Sequence, residues 1–329
     1  MSVQHDAISL MVIQEALHAA CDEMFVVLKK TAMSPIIYEV LDVGTAVTAA
    51  NGDLLSSGAG IPTFVGVLDK AVKQILELHT NIHEGDMFIT NDPFYGGVTH
   101  LNDVVLALPV FAAGELIAWT ATIAHWNDIG GMTAGSMSVK ASEIFQEGLR
   151  LPAIKLFDKG QQLASVFDII YTNSRLPDFV RGDLWAQIAA CRIAATRLKN
   201  LIGSYGLECF NQAIEAAFAE GEQRSQRGLA SLPKGTFTIV EPQDDGSVWN
   251  ATITISNIAF IVDLRDNPNQ LSTPHNTSRD GAVISCQMIF KALTDSSRFA
   301  SAGSFKALQV LTREGSMFHA THNAAQAYY

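Results

Sequence analysis

Residues 90–111, TNDPFYGGVTHLNDVVLALPVF, and residues 119–132, WTATIAHWNDIGGM, decide how this chain folds. Val104–Phe111 and Leu116–Ala124 are apolar runs of strand length, and Gly114 between them supplies a turn. They read as two arms of a β-hairpin whose open ends carry loops rich in Gly, Asn, Asp and His. His100 and Asp103 stand three apart where the first strand begins, and His125 and Asp128 repeat that spacing where the second ends. Closing the hairpin brings the two pairs together. Two imidazoles and one or two carboxylates make a mixed nitrogen and oxygen donor set. Such a set suits Zn²⁺, Mn²⁺ or Fe²⁺ and leaves positions open for water or substrate. A lone H-x-x-D is more often a hydrogen-bonded loop histidine with a turn carboxylate. Two copies on one hairpin leave a metal site and an ordinary polar loop evenly matched.

Around the hairpin, apolar residues at Leu10, Ile13, Leu17, Cys21, Met24, Val27 and Leu28 predict a helix over Asp6–Thr31, with Ser34–Pro35 as its stop. Residues 43–55, VGTAVTAANGDLL, predict a second hairpin about Asn51–Gly52. Gly66–His79 reads as a helix, Met87–Thr90 as a strand, and Leu184–Arg227 as helical, with a boundary at Pro233–Gly235. Beyond it FTIV, VWNATITI and AFIVDL alternate as strands around a turn at Asp244–Gly246, and residues 280–294 form another helix. The last residues, HATHNAAQAYY, show no capping or core pattern, as if the fold were completed by another chain. The expected class is α+β, with mixed β-sheets and N-terminal and central helices. Residues 1–232 would carry the site and 233–329 would form a β-rich region. Asp42, ahead of the Asn51 turn, reads by itself as a strand-entry carboxylate.

Hydrophobic residues make up 48% of the 329 and charged ones 17%, an apolar surplus that predicts a buried partner interface. No apolar run approaches the roughly 20 residues of a membrane helix. A net charge of −11, with no basic cluster beyond Lys29–Lys30, excludes a basic nucleic-acid-binding face. Cys21, Cys191, Cys209 and Cys286 are far apart and read as reduced thiols of a cytoplasmic protein. There is no G-x-x-x-x-G-K-[ST] loop, no G-x-G-x-x-G after a strand and no G-x-S-x-G elbow. The Gly-rich residues 130–138, GGMTAGSMS, read as an irregular loop over a cavity rather than an anion cradle.

Several segments, in order from about residue 6 to residue 318, carry a resemblance. They are KKTAMSP, TNDPFYGGVTHLNDVVL, IAHWNDIGGMTAGSM, SEIFQEGLRLPAIKL, TNSRLPDFVRGDLWAQIAA, SYGLECF and REGSMF. On these the chain resembles the hydantoinase B/oxoprolinase family, which includes N-methylhydantoinase and caprolactamase subunits, the second half of 5-oxoprolinase, and metal subunits of acetone and acetophenone carboxylases. The resemblance implies a hydantoinase B-like fold and a division of labour. A hydantoinase A-type partner subunit would bind ATP and Mg²⁺ and phosphorylate the substrate, and this chain would hold a divalent metal, Zn or Mn or possibly Fe. Carried over by position, the metal ligands would be Asp42, His100 and His125, with Asp103 as a further ligand or partner to one. Asp103 and Asp128 would have catalytic roles.

The expected function is the metal-carrying subunit of a hetero-oligomeric, ATP-dependent amidohydrolase acting on a cyclic amide such as a lactam or hydantoin, with room for further small subunits. A subunit of an ATP-dependent ketone carboxylase and a non-catalytic scaffold subunit are the alternatives. The chain departs from the family at Gly60-Ile61-Pro62-Thr63-Phe64, where a His-Ile-Pro-x-His motif is usual, and at Val40 and Leu41. It is also shorter than typical members, which fits a C-terminal portion supplied by another polypeptide or an altered substrate pocket.

Overall fold

A computed structural model describes residues 7–244, 246–321 and 323–328. Asp6, at the expected start of the first helix, and Asp245, inside an expected turn, lie outside them. In chain order the first elements are α1 (Ala7–Thr31), α2 (Pro35–Tyr38), β1 (Val43–Ala49), β2 (Leu54–Ser57), α3 (Leu68–Leu78) and β3 (Met87–Thr90). They are followed by β4 (Asp103–Ala112), β5 (Glu115–His125), β6 (Ile154–Asp158), β7 (Gln161–Gln162), α4 (Ala164–Asn173), α5 (Pro177–Tyr205) and α6 (Leu207–Ser231). The last are β8 (Gly235–Pro242), β9 (Val248–Ile255), β10 (Phe260–Asp263), α7 (Arg279–Thr294) and β11 (Leu308–Leu311). The chain is thus an α+β protein with helices and antiparallel and mixed sheets.

Among the described residues one sheet runs β2-β1-β5-β4-β3-β6-β7, with every neighbouring pair antiparallel. Its centre is the hairpin of β4 and β5, paired from Asp103↔His125 to Ala112↔Glu115 with one register shift between Val110 and Phe111. Ala113 and Gly114 close it with φ of 51° and 83°. Positive φ at both turn residues matches the twist of a two-residue hairpin, and glycine takes it without a Cβ clash.

Helices cover both faces. Val104, Leu106 and Val110 of β4 share a core with Leu17, Met24 and Leu28 of α1 and Leu184 and Ile188 of α5. Val105 and Ala107, with Trp119, Ala121 and Ile123 of β5, pack instead with Phe64 and with Leu68, Val72 and Ile75 of α3. Burial on both sides is why these strands read as nearly unbroken apolar runs rather than alternating ones. A second sheet, β11-β10-β9-β8, packs against α7 through Phe260, Val262, Ala282 and Phe290. No described helix is long and apolar enough to cross a membrane.

The long central helix expected over 184–227 extends to 177–231 and breaks at Gly206. The helix expected from Gly66 starts later, at Leu68, because Pro62–Gly66 winds as a 3-10 turn. β6, β7 and α4 had no clear sequence signal. The tail, which shows no core pattern in sequence, is nonetheless packed. Ala324, Ala325, Gln326 and Ala327 are buried although they form no regular element. Their burial comes from distant segments, which a local pattern cannot report.

α5 is fastened to the hairpin by Gln187, which is fully buried. Its Nε2 donates to the Val104 carbonyl at 2.8 Å, and its Oε1 accepts from Trp126 Nε1 at 2.9 Å. Gln187→Leu would leave the buried Trp126 indole N–H without its acceptor and take a donor from the Val104 carbonyl. We expect a loss of about 2–3 kcal/mol and a fall of several degrees in the thermal midpoint. Calorimetry checks this, and an unchanged midpoint would contradict it.

Candidate metal centre

Three strand ends meet at one end of the larger sheet. Asp103 opens β4 and His125 closes β5, directly opposite each other in the ladder. β1 pairs with the other edge of β5, and His125 N donates to the Asp42 carbonyl at 3.1 Å, one step beyond the Val43↔Ala124 pair. Leu41, just before, has φ of 64°, an unusual conformation for a non-glycine residue and one that turns the chain into β1 at Asp42.

His100 arrives on the loop between β3 and β4. That loop is fixed by Asn91, whose Nδ2 donates to the carbonyls of Leu101 and Leu149, both at 2.8 Å, and whose Oδ1 accepts from Leu151 N at 2.7 Å. Asp92 accepts from the backbone N–H of Phe94 and Tyr95 and pairs with Arg150 at 2.9 Å. Gly97 lets the loop press on α3, since a Cβ there would lie 2.7 Å from the Lys70 carbonyl carbon. A tight turn, with Asp103 N donating to the His100 carbonyl at 3.1 Å, then aims His100 back at the strand ends.

The result is a near-equilateral triangle. His100 Nε2 lies 3.2 Å from His125 Nδ1 and 3.2 Å from Asp103 Oδ1, and His125 Nδ1 lies 3.2 Å from the same oxygen. Asp42 Oδ2 is 3.8 Å from His125 Nδ1. His100, Asp103 and His125 are all buried. Ligands 2.0–2.1 Å from a tetrahedral zinc are spaced about 3.3 Å apart, and octahedral ones about 3.0 Å. The observed spacing falls between. His100 Nδ1 lies 3.0 Å from the Ala327 carbonyl, an acceptor that needs the proton on this nitrogen, so in the neutral ring Nε2 keeps its lone pair. Thr99 Oγ1 donates to Asp103 Oδ2. These outer partners fix the donor atoms in the way metal ligands are usually fixed. The donor set therefore fits a divalent cation.

Burial works against charge on His100, but the adjoining Asp103 outweighs it and raises the imidazole above its ordinary value. Burial likewise pushes Asp103 up, yet the two imidazoles hold its carboxyl far below the usual range. At Asp42, burial and the Asp103 charge raise the carboxyl. Its side chain is 25% exposed, against 1% for Asp103. Asp42 therefore marks the side of the cluster that faces solvent.

Asp128, expected beside the cluster, is not among the converging groups. Its Oδ1 accepts from the N–H of Gly130 at 3.0 Å and of Arg175 at 2.9 Å, and its Oδ2 from Gly135 N at 2.9 Å and Arg175 Nη1 at 3.1 Å. Arg175 also donates to the carbonyls of Gly130, Gly131 and Thr133. Both Asp128 oxygens are thus spent holding the Gly-rich loop of residues 130–138. Burial works against its charge, and these N–H bonds more than offset that and lower its carboxyl. Sequence reasoning overlooked Glu147 and the tail at Gln326 and Ala327, which reach the cluster from far along the chain. The lone carboxylate of QEGLRLP was the only signal available for Glu147.

The hydantoinase B/oxoprolinase family model matches residues 6–329. An uncharacterized protein of Methanocaldococcus jannaschii is 31% identical over 317 residues, covering 94% of this chain and 56% of that protein. Caprolactamase subunit beta of Pseudomonas jessenii is 33% identical over 234 residues, 71% of this chain and 40% of that subunit. The crystal structure of ATP-dependent caprolactamase from Pseudomonas jessenii superposes with a TM-score of 0.90 at 28% identity, covering 97% of this chain and 56% of that one. The chain spans about half the length of the curated relatives it matches. A match running through all three strand ends and both sheets leaves one assignment: the chain belongs to the hydantoinase B/oxoprolinase family.

Proposed function

We propose that this chain carries the divalent metal of an ATP-dependent hydrolase that opens a cyclic amide, with His100, Asp103, His125 and Asp42 as its ligands. The observation that carries this reading is the 3.2 Å triangle of two imidazole nitrogens and one carboxylate oxygen. The likeness to a caprolactamase favours a lactam-type substrate over a ketone. The sequence holds no Walker-type phosphate loop, so ATP would be bound by a hydantoinase A-type partner subunit in a hetero-oligomer.

The chemistry explains the division. An amide carbonyl is a poor electrophile, and phosphorylating its oxygen in the partner makes it susceptible to water. A divalent ion polarises oxygen and lowers the pKa of water in contact with it. This chain's residues supply the frame. Asp103 neutralises charge between the imidazoles, the Ala327 carbonyl fixes the ring of His100, and Asp42 stands where substrate and water approach. The Asp128–Arg175 clamp holds the neighbouring loop in place and needs no part in proton transfer.

Elemental analysis of the chain, co-purified with its partner, tests the ligand set. One metal per chain is expected, falling below about a tenth in His100→Ala and His125→Ala with the complex still assembled. A metal-replete His100→Ala protein would overturn the assignment. Asp128→Asn should keep its metal while losing roughly 1–2 kcal/mol of stability through weakened hydrogen bonds; metal loss there would return Asp128 to the site. An assay of lactam hydrolysis should show turnover only with both ATP and the partner. Turnover by the chain alone would exclude the division of labour, and no metal in the unaltered chain would favour a scaffold.

A further inference from the structure

Glu147 follows the 3-10 turn Ile144–Gln146 and is 1% exposed. Its carboxylate accepts from backbone N–H groups of the tail. Gln326 N lies 2.9 Å from Oε1 and 3.1 Å from Oε2, and Ala327 N lies 2.8 Å from Oε1. The residue gripped through its N–H, Ala327, is the one whose carbonyl lies 3.0 Å from His100 Nδ1. Holding one end of that residue fixes the other. Gln326 makes a parallel link, since its Nε2 donates to the Thr99 carbonyl at 2.9 Å and the Thr99 hydroxyl donates to Asp103.

Two strands of contact therefore run from one buried carboxylate to two donors of the cluster. Other tail contacts support the same placement. Ile144 N donates to the Asn323 carbonyl at 3.0 Å, and Asn276 Nδ2 donates to the Ala325 carbonyl at 2.9 Å. A carboxylate is a costly group to bury merely to anchor a tail. The carboxylate accepts on both oxygens, Oε1 from Gln326 N and Ala327 N and Oε2 from Gln326 N, whereas Gln would keep one acceptor oxygen and turn an NH₂ donor toward the tail in place of the other.

We infer that Glu147 is a positioning residue for the metal centre, acting through Gln326 and Ala327 to hold His100 in its ligating orientation. This rests on the reading that the cluster binds a divalent metal. Partners of metal-bound histidines, when lost, commonly weaken binding about 10- to 100-fold.

The test is the Zn²⁺ affinity of the chain in its complex, measured by competition with a chromophoric chelator. Glu147→Gln should weaken binding by about 10- to 100-fold. A chain ending at residue 322 should lose a similar factor, and adding Glu147→Gln to it should cost nothing more. Unchanged affinity in Glu147→Gln, however far its thermal midpoint falls, would show a merely structural role and overturn the inference; so would losses that add in the double variant. If Glu147→Gln does not fold, Ala327→Pro carries the test. It removes one N–H that Glu147 accepts and keeps the carbonyl, and unchanged zinc affinity there would be equally decisive. Failure of the metal reading is separately visible, as no stoichiometric zinc in the unaltered chain, and it would take this inference with it.

Discussion

The cross-strand pairing of Asp103 with His125 is the constraint from which the rest of the site hangs. In an antiparallel ladder, residues directly opposite each other project to the same face, so Asp103 lies beside Val105 and His125 beside Ile123 on the side that packs toward α3. A slip of one residue would send one of the two to the other face. The slip is prevented twice over, by the positive-φ turn at Ala113–Gly114 and by burial of both faces of β4 and β5. Asp42 inherits its place from the same ladder, because β1 pairs with the free edge of β5 and the residue just before its start lies level with His125.

That precision comes with an electrostatic burden. Asp103 is almost fully buried, and a carboxylate in such a position is tolerated only with partners at hand. It has three: both imidazoles and the Thr99 hydroxyl. Their donor atoms converge on the same region, so a proton on an imidazole nitrogen there is shared with the carboxylate. The well-packed cores on both faces of the sheet supply the stability that lets such a cluster persist.

What was legible in the sequence follows from distance along the chain. The β4–β5 hairpin could be read because its turn and its apolar runs are local, and His100, Asp103 and His125 could be read because they flank it. Asp42 could not be chosen by pattern, since its position depends on β1 finding β5 across some 75 residues; only the resemblance supplied it. Asp128 shares the H-x-x-D spacing of His100 and Asp103 yet does something else. Beyond His125 the chain has left the sheet, and its carboxylate turns to the N–H groups of its own loop. Equal spacing implies equal geometry only inside equal secondary structure. Gln187 and the tail carry no local signature, and Glu147 no more than a lone carboxylate, because their partners lie far away in sequence and are chosen by packing.

The tail changes how the two sheets should be regarded. Residues 324–327 pass between the segment around Asn276 and the loop at Glu147 before the Ala327 carbonyl meets His100, 227 positions away in sequence. A site built mainly on the first sheet is therefore finished by backbone that follows the second. Linkage makes this reciprocal: whatever docking of the tail contributes to holding a metal, the metal contributes equally to docking the tail. A chain in which the two are coupled has a single cooperative reason to fold its last residues onto its first sheet, and no strand pairing or helical packing is needed to order them. This accounts for a segment that is buried without a core pattern. Its backbone groups are satisfied by Glu147, Asn276 and His100 rather than by the periodicity of a helix or strand.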